Sequence, residues 1–314
     1  MMRHFLSRLM APILVGLACA TAQAGTDYAL EAMEIEPGVW VVEGSKENFS
    51  RENGGNIVNT AFLETGAGVV VIDTGPSRRY GEALKRLIEG TTHEPITHVL
   101  LTHHHPDHVF GNQAFDPDTL YMLDTAKELL RRDGEAFADN MYRLVGDWMR
   151  GTEIIMPEKT LHPGEWEVGN RRLHLLEFTG HTGSDLVVFD EESKVLFAAD
   201  LVFHDRALTT PQSPGLTTWI EDLERLEALP FRWLVPGHGA PSMGNMALQQ
   251  TRDYLAWLDE ALTRAASEGW SMTEVTAMDI PSRFDALEGS RYELTRTVTH
   301  LYPAYEKAAL MLLE

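Results

Sequence analysis

Residues 102–108 read Thr-His-His-His-Pro-Asp-His, and they follow directly on an apolar run, Ile96–Leu101. Four histidines and one carboxylate therefore stand within six consecutive positions. Imidazole and carboxylate groups are the usual ligands of zinc and its neighbours in proteins. A solvated loop would instead be rich in Lys, Glu, Ser and Gly. The stretch predicts a metal site at the end of a strand.

The spacing divides this cluster into two pairs. Residues two apart in a strand point the same way, so His103 and His105 can bind one ion while His104 faces away. The proline that follows suits the first turn of a helix. Asp107 and His108 would project from that helix start, where the helix dipole favours an anion. We expect two metal positions, each completed by ligands from elsewhere in the chain.

The first half of the chain reads as hairpin, helix and strand. Two β-rich runs, 57–63 and 69–72, form a hairpin that ends in Asp73. Residues 77–89 carry apolar side chains at helical spacing. The strand Ile96–Leu101 then leads into the histidines.

The same plan recurs in the second half. A strand over 172–178 leads to His181, a hairpin over 186–197 ends in Asp200, and a helix and a further strand lead to His238. Repetition of whole units predicts two similar halves packed together, here two β-rich layers flanked by helices. Ligands from both halves would meet at the seam.

A helix is also predicted between the halves, over residues 125–150. Because it starts close to the cluster in sequence, it could form a lid over the metals, with Trp148 and Met149 as substrate contacts. An aromatic and methionine stripe at helical spacing is more often part of a core. Both interpretations stay open at this point.

The C-terminal region is predicted to be helical. Residues 245–268 form an amphipathic helix, and a second helical region begins near Tyr292 and is interrupted by Pro303. No linker or low-complexity segment separates this region from the rest. We divide the chain into a signal peptide (1–24), a main domain (25–242) and a helical extension (243–314).

Length and charge limit the function classes. With 314 residues, 44% of them hydrophobic, the chain can bury the core of one large domain. The formal net charge of −21 repels phosphate backbones, which argues against a nucleic-acid partner. We expect a small-molecule substrate; the sequence does not indicate an oligomeric state.

Residues 1–24 have the layout of a cleaved secretory signal. A short basic region precedes the apolar core Leu9–Ala20, and Ala22-Gln23-Ala24 follows. The apolar run is short for a membrane span, so we expect a periplasmic or secreted protein without a transmembrane segment after cleavage. A buried N-terminal helix is the alternative. The only cysteine, Cys19, lies in this segment, so the mature chain has no thiol. The residues before Cys19 match a lipoprotein signal poorly, so we do not expect a lipid anchor there.

Five motifs in this order resemble the metallo-β-lactamase fold superfamily, over residues 38–241. They are Asp73-Thr74-Gly75, His103-x-His105-x-Asp107-His108, Gly180-His181-Thr182, Asp200 and Gly237-His238-Gly239. The resemblance implies an α/β fold, a four-layer αββα sandwich, with the C-terminal helices as an extension.

The resemblance also implies a site with two Zn²⁺ per chain, to which iron or manganese is an alternative. The first ion would be bound by His103, His105 and His181. The second would be bound by Asp107, His108 and His238. Asp200 would bridge the two ions, and Asp73 would orient the ligand loop from behind.

Two zinc ions roughly 3.5–4 Å apart would share a water and lower its pKa from about 16 towards 7. The bridging hydroxide would attack a carbonyl without a serine or cysteine nucleophile. Asp107 could accept a proton from the attacking water, and we name it as the catalytic residue. The site therefore predicts a metal-dependent hydrolase.

Two features bear on the substrate. Two β-lactamase subclasses of this superfamily carry cysteine or serine at the position of Asp200. An aspartate there is instead similar to glyoxalase II and other thioester, lactone or phosphodiester hydrolases. Residues 71–79 and 105–112 resemble exported zinc metallohydrolases associated with quinoprotein systems and sulfur-oxidation clusters. A thioester or other sulfur-linked substrate is the leading prediction.

Three alternatives stay open. A β-lactamase-like amide hydrolase would use the same site, and a mononuclear iron sulfur dioxygenase would use ligands of the His103, His181 and Asp200 type. A non-catalytic metal or redox-partner binding protein is the third. His204 and Asp205, just past Asp200, could reach the pocket, although a solvated loop is the simpler expectation.

Overall fold

Two β-sheets form the centre of the structure, a computed structural model that describes residues 27–311. The predicted signal peptide, 1–24, lies outside the described residues. The first sheet has the strand order β1 to β7: Met33–Glu36, Val39–Val42, Thr60–Glu64, Val69–Ile72, Ile96–Leu101, Leu120–Leu123 and Lys159–Leu161. The second has the order β13-β12-β11-β10-β9-β8, where β8 to β13 are Gly164–Val168, Arg171–Phe178, Asp185–Asp190, Val195–Phe203, Trp233–His238 and Ser242–Met243.

Eight α-helices accompany these strands in the described part of the chain. They are α1 to α8: Arg78–Thr91, Pro106–Val109, Asp124–Val145, Leu216–Glu227, Met246–Ser267, Met272–Thr276, Ser282–Asp285 and Ser290–Met311. No described helix is long and apolar enough to cross a membrane.

The two halves have the same connectivity. In the first, the antiparallel pair β3 and β4 is followed by α1 and by β5, which pairs parallel to β4. In the second, β10 and β11 are followed by α4 and by β12, which pairs parallel to β11. Parallel strands need such a crossover, and the crossover brings their carboxyl ends to the same edge. The repeated plan places both sets of strand ends at that edge.

The strand β10 shows how the layers are built. Its side chains alternate between two faces, as in any strand. Leu186 and Val188 belong to the core shared with the first sheet, whereas Val187 and Phe189 belong to a second core. The helices α4, α5 and α8 pack into that second core, and α1 and α3 pack on the first sheet. The predicted four-layer αββα sandwich is confirmed.

The helix predicted over 125–150 is present as α3 and a 3-10 turn, Gly146–Met149. The two residues suggested as substrate contacts lie elsewhere: Met149 is fully buried in the first core. Trp148 packs over Gly54, where a Cβ would stand 2.4 Å from the indole ring, and the φ of Gly54 is +62°. Of the two interpretations, core packing applies to these two residues, and neither lines the cavity described below.

The final helix, α8, differs from the prediction at Pro303, because it runs unbroken to Met311. Proline removes one helical hydrogen bond and disfavours the preceding turn. Packing on both sides of Pro303 compensates: the Tyr302 hydroxyl donates to Trp270 O at 2.7 Å and the Tyr305 hydroxyl to Asp259 at 2.5 Å. The helix is held by its contacts with α5 and the segment after it.

Candidate metal centre

The structure brings the seven predicted metal ligands together at the shared sheet edge. We call them the ligand cluster: His103, His105, Asp107, His108, His181, Asp200 and His238. All seven are at most 6% exposed. Their ligand atoms form two groups, each within 4.8 Å. The first group is His103, His105, His181 and Asp200, and the second is Asp107, His108 and His238.

The contiguous part of the cluster folds as the spacing indicates. His105 is the N-cap of the one-turn helix α2, and Pro106 occupies its first turn. Asp107 lies in that first turn, at the positive end of the helix dipole. The change from strand to helix turns the two pairs of side chains towards different groups.

Asp200 lies between the two groups. Its Oδ2 is 3.2 Å from His181 Nε2 of the first group and 3.3 Å from His238 Nε2 of the second, and its Oδ1 is 3.2 Å from His108 Nε2. Asp200 therefore contacts histidines of both groups. Gly237 makes room for it, because a Cβ there would stand 1.9 Å from Asp200 Oδ1. The glycine of the Pro-Gly-His-Gly stretch thus has a steric role.

Hydrogen bonds to the far ring nitrogens orient the histidines of the second group. His238 Nδ1 is 2.7 Å from the carbonyl oxygen of Ile57, and His108 Nδ1 is 2.7 Å from Asp73 Oδ2. Each of these acceptors leaves Nε2 facing the cluster, a common arrangement behind metal-binding histidines. His105 differs, since its Nδ1 is the atom nearest its group, 3.1 Å from His181 Nε2.

Asp73 supports the ligand loop from behind. It has a φ of +61°. Its Oδ1 accepts from the Thr102 backbone at 2.8 Å, and its Oδ2 accepts from the Thr102 hydroxyl at 2.8 Å. With the contact to His108, one buried carboxylate positions both the start of the loop and one of its ligands. This is the placement expected of an orienting residue.

His104 belongs to neither group, although it is fully buried. Its Nε2 is 3.3 Å from Asp133 Oδ2 on α3, and its ring lies against Phe137, with 5.6 Å between centroids. Burial lowers the pKa of His104 to about 4, against a smaller opposing effect of Asp133. The residue connects the loop to α3.

The charge states of the cluster suit a cation. Burial, reinforced by the neighbouring histidines, holds the pKa of His103 and of His105 well below the ordinary value, so both imidazoles are neutral at pH 7. Burial alone would raise the pKa of Asp200, but His238 and His108 outweigh it, and the pKa is well below its usual range. His108 differs: burial would lower its pKa, but Asp200, Asp73 and Asp107 outweigh burial and hold the pKa well above the ordinary value. Metal binding requires neutral imidazoles and charged carboxylates, so an ion at the second group would displace the proton of His108.

Several ligand atoms have no hydrogen-bond partner, although they are buried. They include His103 Nε2, and also His108 Nε2 and Asp200 Oδ1, which approach each other at 3.2 Å without the geometry of a hydrogen bond. Buried polar atoms are normally paired, and these three face the centre of the cluster. Together with the donor types, this makes the residues a fit for divalent metal ions.

A cavity of about 320 Å³ opens above the cluster. His105, Asp107, Asp200 and His238 line its floor. We call the rest the cavity wall, which combines apolar and polar side chains: Asn48, Phe49, Ile57, Pro106, Phe137, Asn140, Leu144, Arg206, Thr209, Gln212, Tyr292, Glu293 and Arg296. The helices α3 and α8 both contribute. A lid position for α3 therefore has structural support, through Phe137 and Leu144.

Most of the cavity wall was not found by sequence reasoning. Tyr292, Glu293 and Arg296 lie more than 50 residues after His238, the last residue of the ligand cluster, and belong to no recognisable motif. His204 and Asp205, considered for the pocket, do not line it. His204 Nδ1 lies 2.7 Å from Ala240 O, and Asp205 is exposed beside Lys46.

The comparisons with known proteins agree with this geometry. The family model described as "Metallo-beta-lactamase superfamily" matches residues 53–238. The chain is 21% identical over 282 residues to the linear primary-alkylsulfatase of Pseudomonas sp. (strain ATCC 19151), covering 76% of this chain and 53% of that protein. It is 23% identical over 222 residues to the acyl-coenzyme A thioesterase MBLAC2 of Gallus gallus, covering 64% of this chain and 71% of that protein.

Among solved structures, the metallo-beta-lactamase from Pontibacter korlensis aligns with a TM-score of 0.57 at 21% identity, covering 72% of this chain and 99% of that one. The likeness concerns the fold. The chain spans about half the length of the first curated relatives it matches. The family match covers more than half of the chain and contains all seven residues of the ligand cluster, the last of which, His238, is its final residue. The chain belongs to the metallo-β-lactamase superfamily.

Proposed function

We propose that this protein is an exported metal-dependent hydrolase that uses two zinc ions per chain to cleave a thioester or another sulfur-linked small molecule. One observation carries the proposal: Asp200 stands within 3.3 Å of histidines from both ligand groups. A carboxylate shared in this way is suited to a pair of ions. The mononuclear alternative would leave the second group, Asp107, His108 and His238, without a role.

The proposed roles of the residues follow from their positions. When bound, the ions supply a water activated as a nucleophile and polarise the scissile carbonyl. Asp107 lines the cavity floor, with Oδ2 3.5 Å from His238 Nε2. We assign it as the residue that takes up the proton of the attacking water. Asp73 keeps His108 oriented throughout.

A thioester is favoured by the chemistry of its leaving group. A thiol has a pKa of about 8.5, so it departs as a thiolate without a dedicated acid. The amine that leaves in amide cleavage must instead be protonated. The similarity to an acyl-coenzyme A thioesterase supports the same class. The similarity to an alkylsulfatase adds sulfate esters to the substrates worth testing.

The export proposal rests on residues 1–24 and their signal-like layout. Cell fractionation with N-terminal sequencing of the mature protein tests it. Cleavage after Ala24 and recovery from the periplasm or medium is the expected result. An intact N-terminus in the cytoplasmic fraction would contradict it.

The activity is tested by metal analysis followed by a hydrolysis panel. We expect two zinc ions per chain and turnover of thioesters ahead of lactones, phosphodiesters, alkyl sulfates and β-lactams. Fast opening of β-lactams with inert thioesters would favour the β-lactamase-like alternative. One iron per chain with oxygen consumption on a persulfide would favour the dioxygenase.

A further inference from the structure

The helix α8 lies outside the family match, which ends at residue 238, yet it forms one side of the cavity. Its first turns place Tyr292, Glu293 and Arg296 in the cavity wall. Arg206, just after β11, faces the same space. The side of the cavity away from α3 therefore contains two arginines and one glutamate.

Arg206 is almost fully buried, at 4% exposure, and most of its guanidinium is occupied. Nη1 donates to the carbonyl oxygens of Lys46 and Glu47, at 2.7 and 2.5 Å, and Nη2 donates to Asn48 Oδ1 at 3.2 Å. These bonds hold the segment that carries Asn48 at the cavity. The remaining donor, Nε, is buried and has no hydrogen-bond partner. Arg206 therefore contributes its positive charge and its hold on this segment to the cavity, and the accessible donors have to come from another residue.

Arg296 is one third exposed and faces the cavity. Its Nη1 donates to both carboxylate oxygens of Glu293, at 3.0 and 2.9 Å. Among the described residues, no acceptor is bound to its Nη2 or Nε. Two donors of a planar fork are thus free to bind an oxyanion side by side, the geometry in which arginine binds carboxylates and phosphates.

Glu293 connects the two arginines. It is fully buried, accepts from the Thr209 hydroxyl at 3.2 Å, and lies 3.9 Å from Arg206 Nη2. One carboxylate between two guanidinium groups leaves one positive charge at this side of the cavity. In a chain with a net charge of −21, that local excess is a specific feature. The carboxylates Asp107 and Asp200 on the cavity floor oppose it, but they belong to the ligand cluster, where bound metal ions would offset their charge. With metal bound, the arginine side attracts an anion where the surface as a whole repels one.

The helix α3 and Phe49 contribute most of the apolar lining, with Phe137 and Leu144 of α3 beside one polar residue of the same helix, Asn140. A bound molecule would meet the ligand cluster at the floor, the apolar lining and the arginines. We infer that Arg296, with Arg206, forms a subsite for an oxyanion carried by the substrate, a carboxylate or a sulfonate. This inference rests on the proposed hydrolytic function and narrows its substrate to small acidic thioesters.

The test compares three acetyl thioesters of similar size. Two carry an anion, S-acetyl-3-mercaptopropanoate and S-acetyl-2-mercaptoethanesulfonate, and the third is the neutral S-acetyl-3-mercaptopropanamide. The zinc-loaded protein should favour the anionic substrates by about tenfold or more in kcat/KM, mainly through KM, as expected for charge-assisted hydrogen bonds. The ratio between carboxylate and sulfonate tells which anion fits better.

The key variant is Arg296→Gln, and Lys307→Gln is its matched control. Lys307 is exposed on the same helix and does not line the cavity, so both variants remove one positive charge from α8. We expect Arg296→Gln to abolish the preference for anionic substrates and Lys307→Gln to preserve it. An unchanged preference in Arg296→Gln, or no preference in the unmodified protein, would overturn the inference.

A binding measurement separates this inference from the proposed function. Calorimetry with the uncleavable thioethers 3-(propylthio)propanoate and 3-(propylthio)propanamide requires no turnover. If no thioester is cleaved but the acid binds through Arg296, the hydrolase proposal fails and the subsite stands. If thioesters are cleaved and acid and amide bind alike, the subsite fails and the hydrolase stands. Should Arg296→Gln unfold, Arg296→Lys keeps the charge without the fork, and its preference should be intermediate.

Discussion

The ligand cluster and the cavity wall above it differ in how they are built. The cluster consists of side chains at most 6% exposed, held at strand ends and one-turn connections of two packed sheets. The wall includes Tyr292, which is 50% exposed, and draws on several helices and loops that lie up to more than 200 residues apart. The ends of paired strands can hold ligand atoms in fixed positions, because hydrogen bonds to the neighbouring strands fix their backbone. Helices lying over that edge can change their side chains without disturbing it.

This difference assigns different roles to the two regions. The cluster determines which chemistry the site can perform, and the wall determines which molecules reach it. Substitutions in the cluster should therefore change metal content and turnover together. Substitutions in the wall should change KM while metal content stays constant.

The largest effect is expected from His103→Ala, with His104→Ala as the adjacent control. His103 belongs to the first ligand group, whereas His104 contacts Asp133 on α3. His103→Ala should lose most of the bound metal and at least about a hundredfold in kcat, because the first group loses one of its four ligands. Loss of a partner that only orients a ligand already costs about 10- to 100-fold. His104→Ala should keep both. Equal metal loss in the two variants, measured by plasma emission spectroscopy, would mean that the strand periodicity is misassigned.

Asp73→Asn should have the next largest effect. The amide keeps the shape of the side chain but presents a weaker acceptor to His108 and to the Thr102 backbone. Loss of such an orienting partner lowers metal affinity or activity by about 10- to 100-fold. Zinc titration against a competing chelator measures it, with Asp118→Asn as an exposed control. Unaltered zinc affinity and unaltered turnover would show that His108 is oriented by the surrounding packing alone.

A smaller effect is expected in the wall, from Leu144→Ala. Leu144 lines the cavity, whereas Leu129 on the same helix does not. We expect Leu144→Ala to raise KM about 5- to 10-fold for an apolar acyl group, in line with the modest value of one apolar contact in a binding pocket. Metal content should not change, and Leu129→Ala should leave KM unchanged. A loss of zinc in Leu144→Ala would remove the distinction between cluster and wall.

The smallest effect on activity is expected from Pro303→Ala. The substitution restores a backbone donor within α8 and relieves the cost of a proline inside a helix. The free energy of unfolding should rise by about 1 kcal/mol or more, without a change in kcat. Thermal and urea unfolding measure the stability. A decrease would show that α8 is adapted to the proline geometry.

The fold was largely predictable because its signals are local. The strand β5 has the predicted bounds, Ile96–Leu101, since a short run of β-branched and leucine residues ends at a polar cluster. The repeated hairpin, helix and strand plan predicted that His181, Asp200 and His238 come to one edge. The error at Pro303 has the opposite origin. Helix propensity is weak beside the burial of Tyr302 and its neighbours, which only the packed structure reveals.

The sequence by itself determined the seven candidate ligands, the separation of His103 and His105 from His104, and the sandwich that carries them, because each depends on spacing along the chain and on strand and helix periods. Only the tertiary structure decided which side chains stand over the ligands. Arg206, Glu293 and Arg296 meet there because α8 packs into the core of the second sheet, and such long-range packing leaves no pattern in the residues between them.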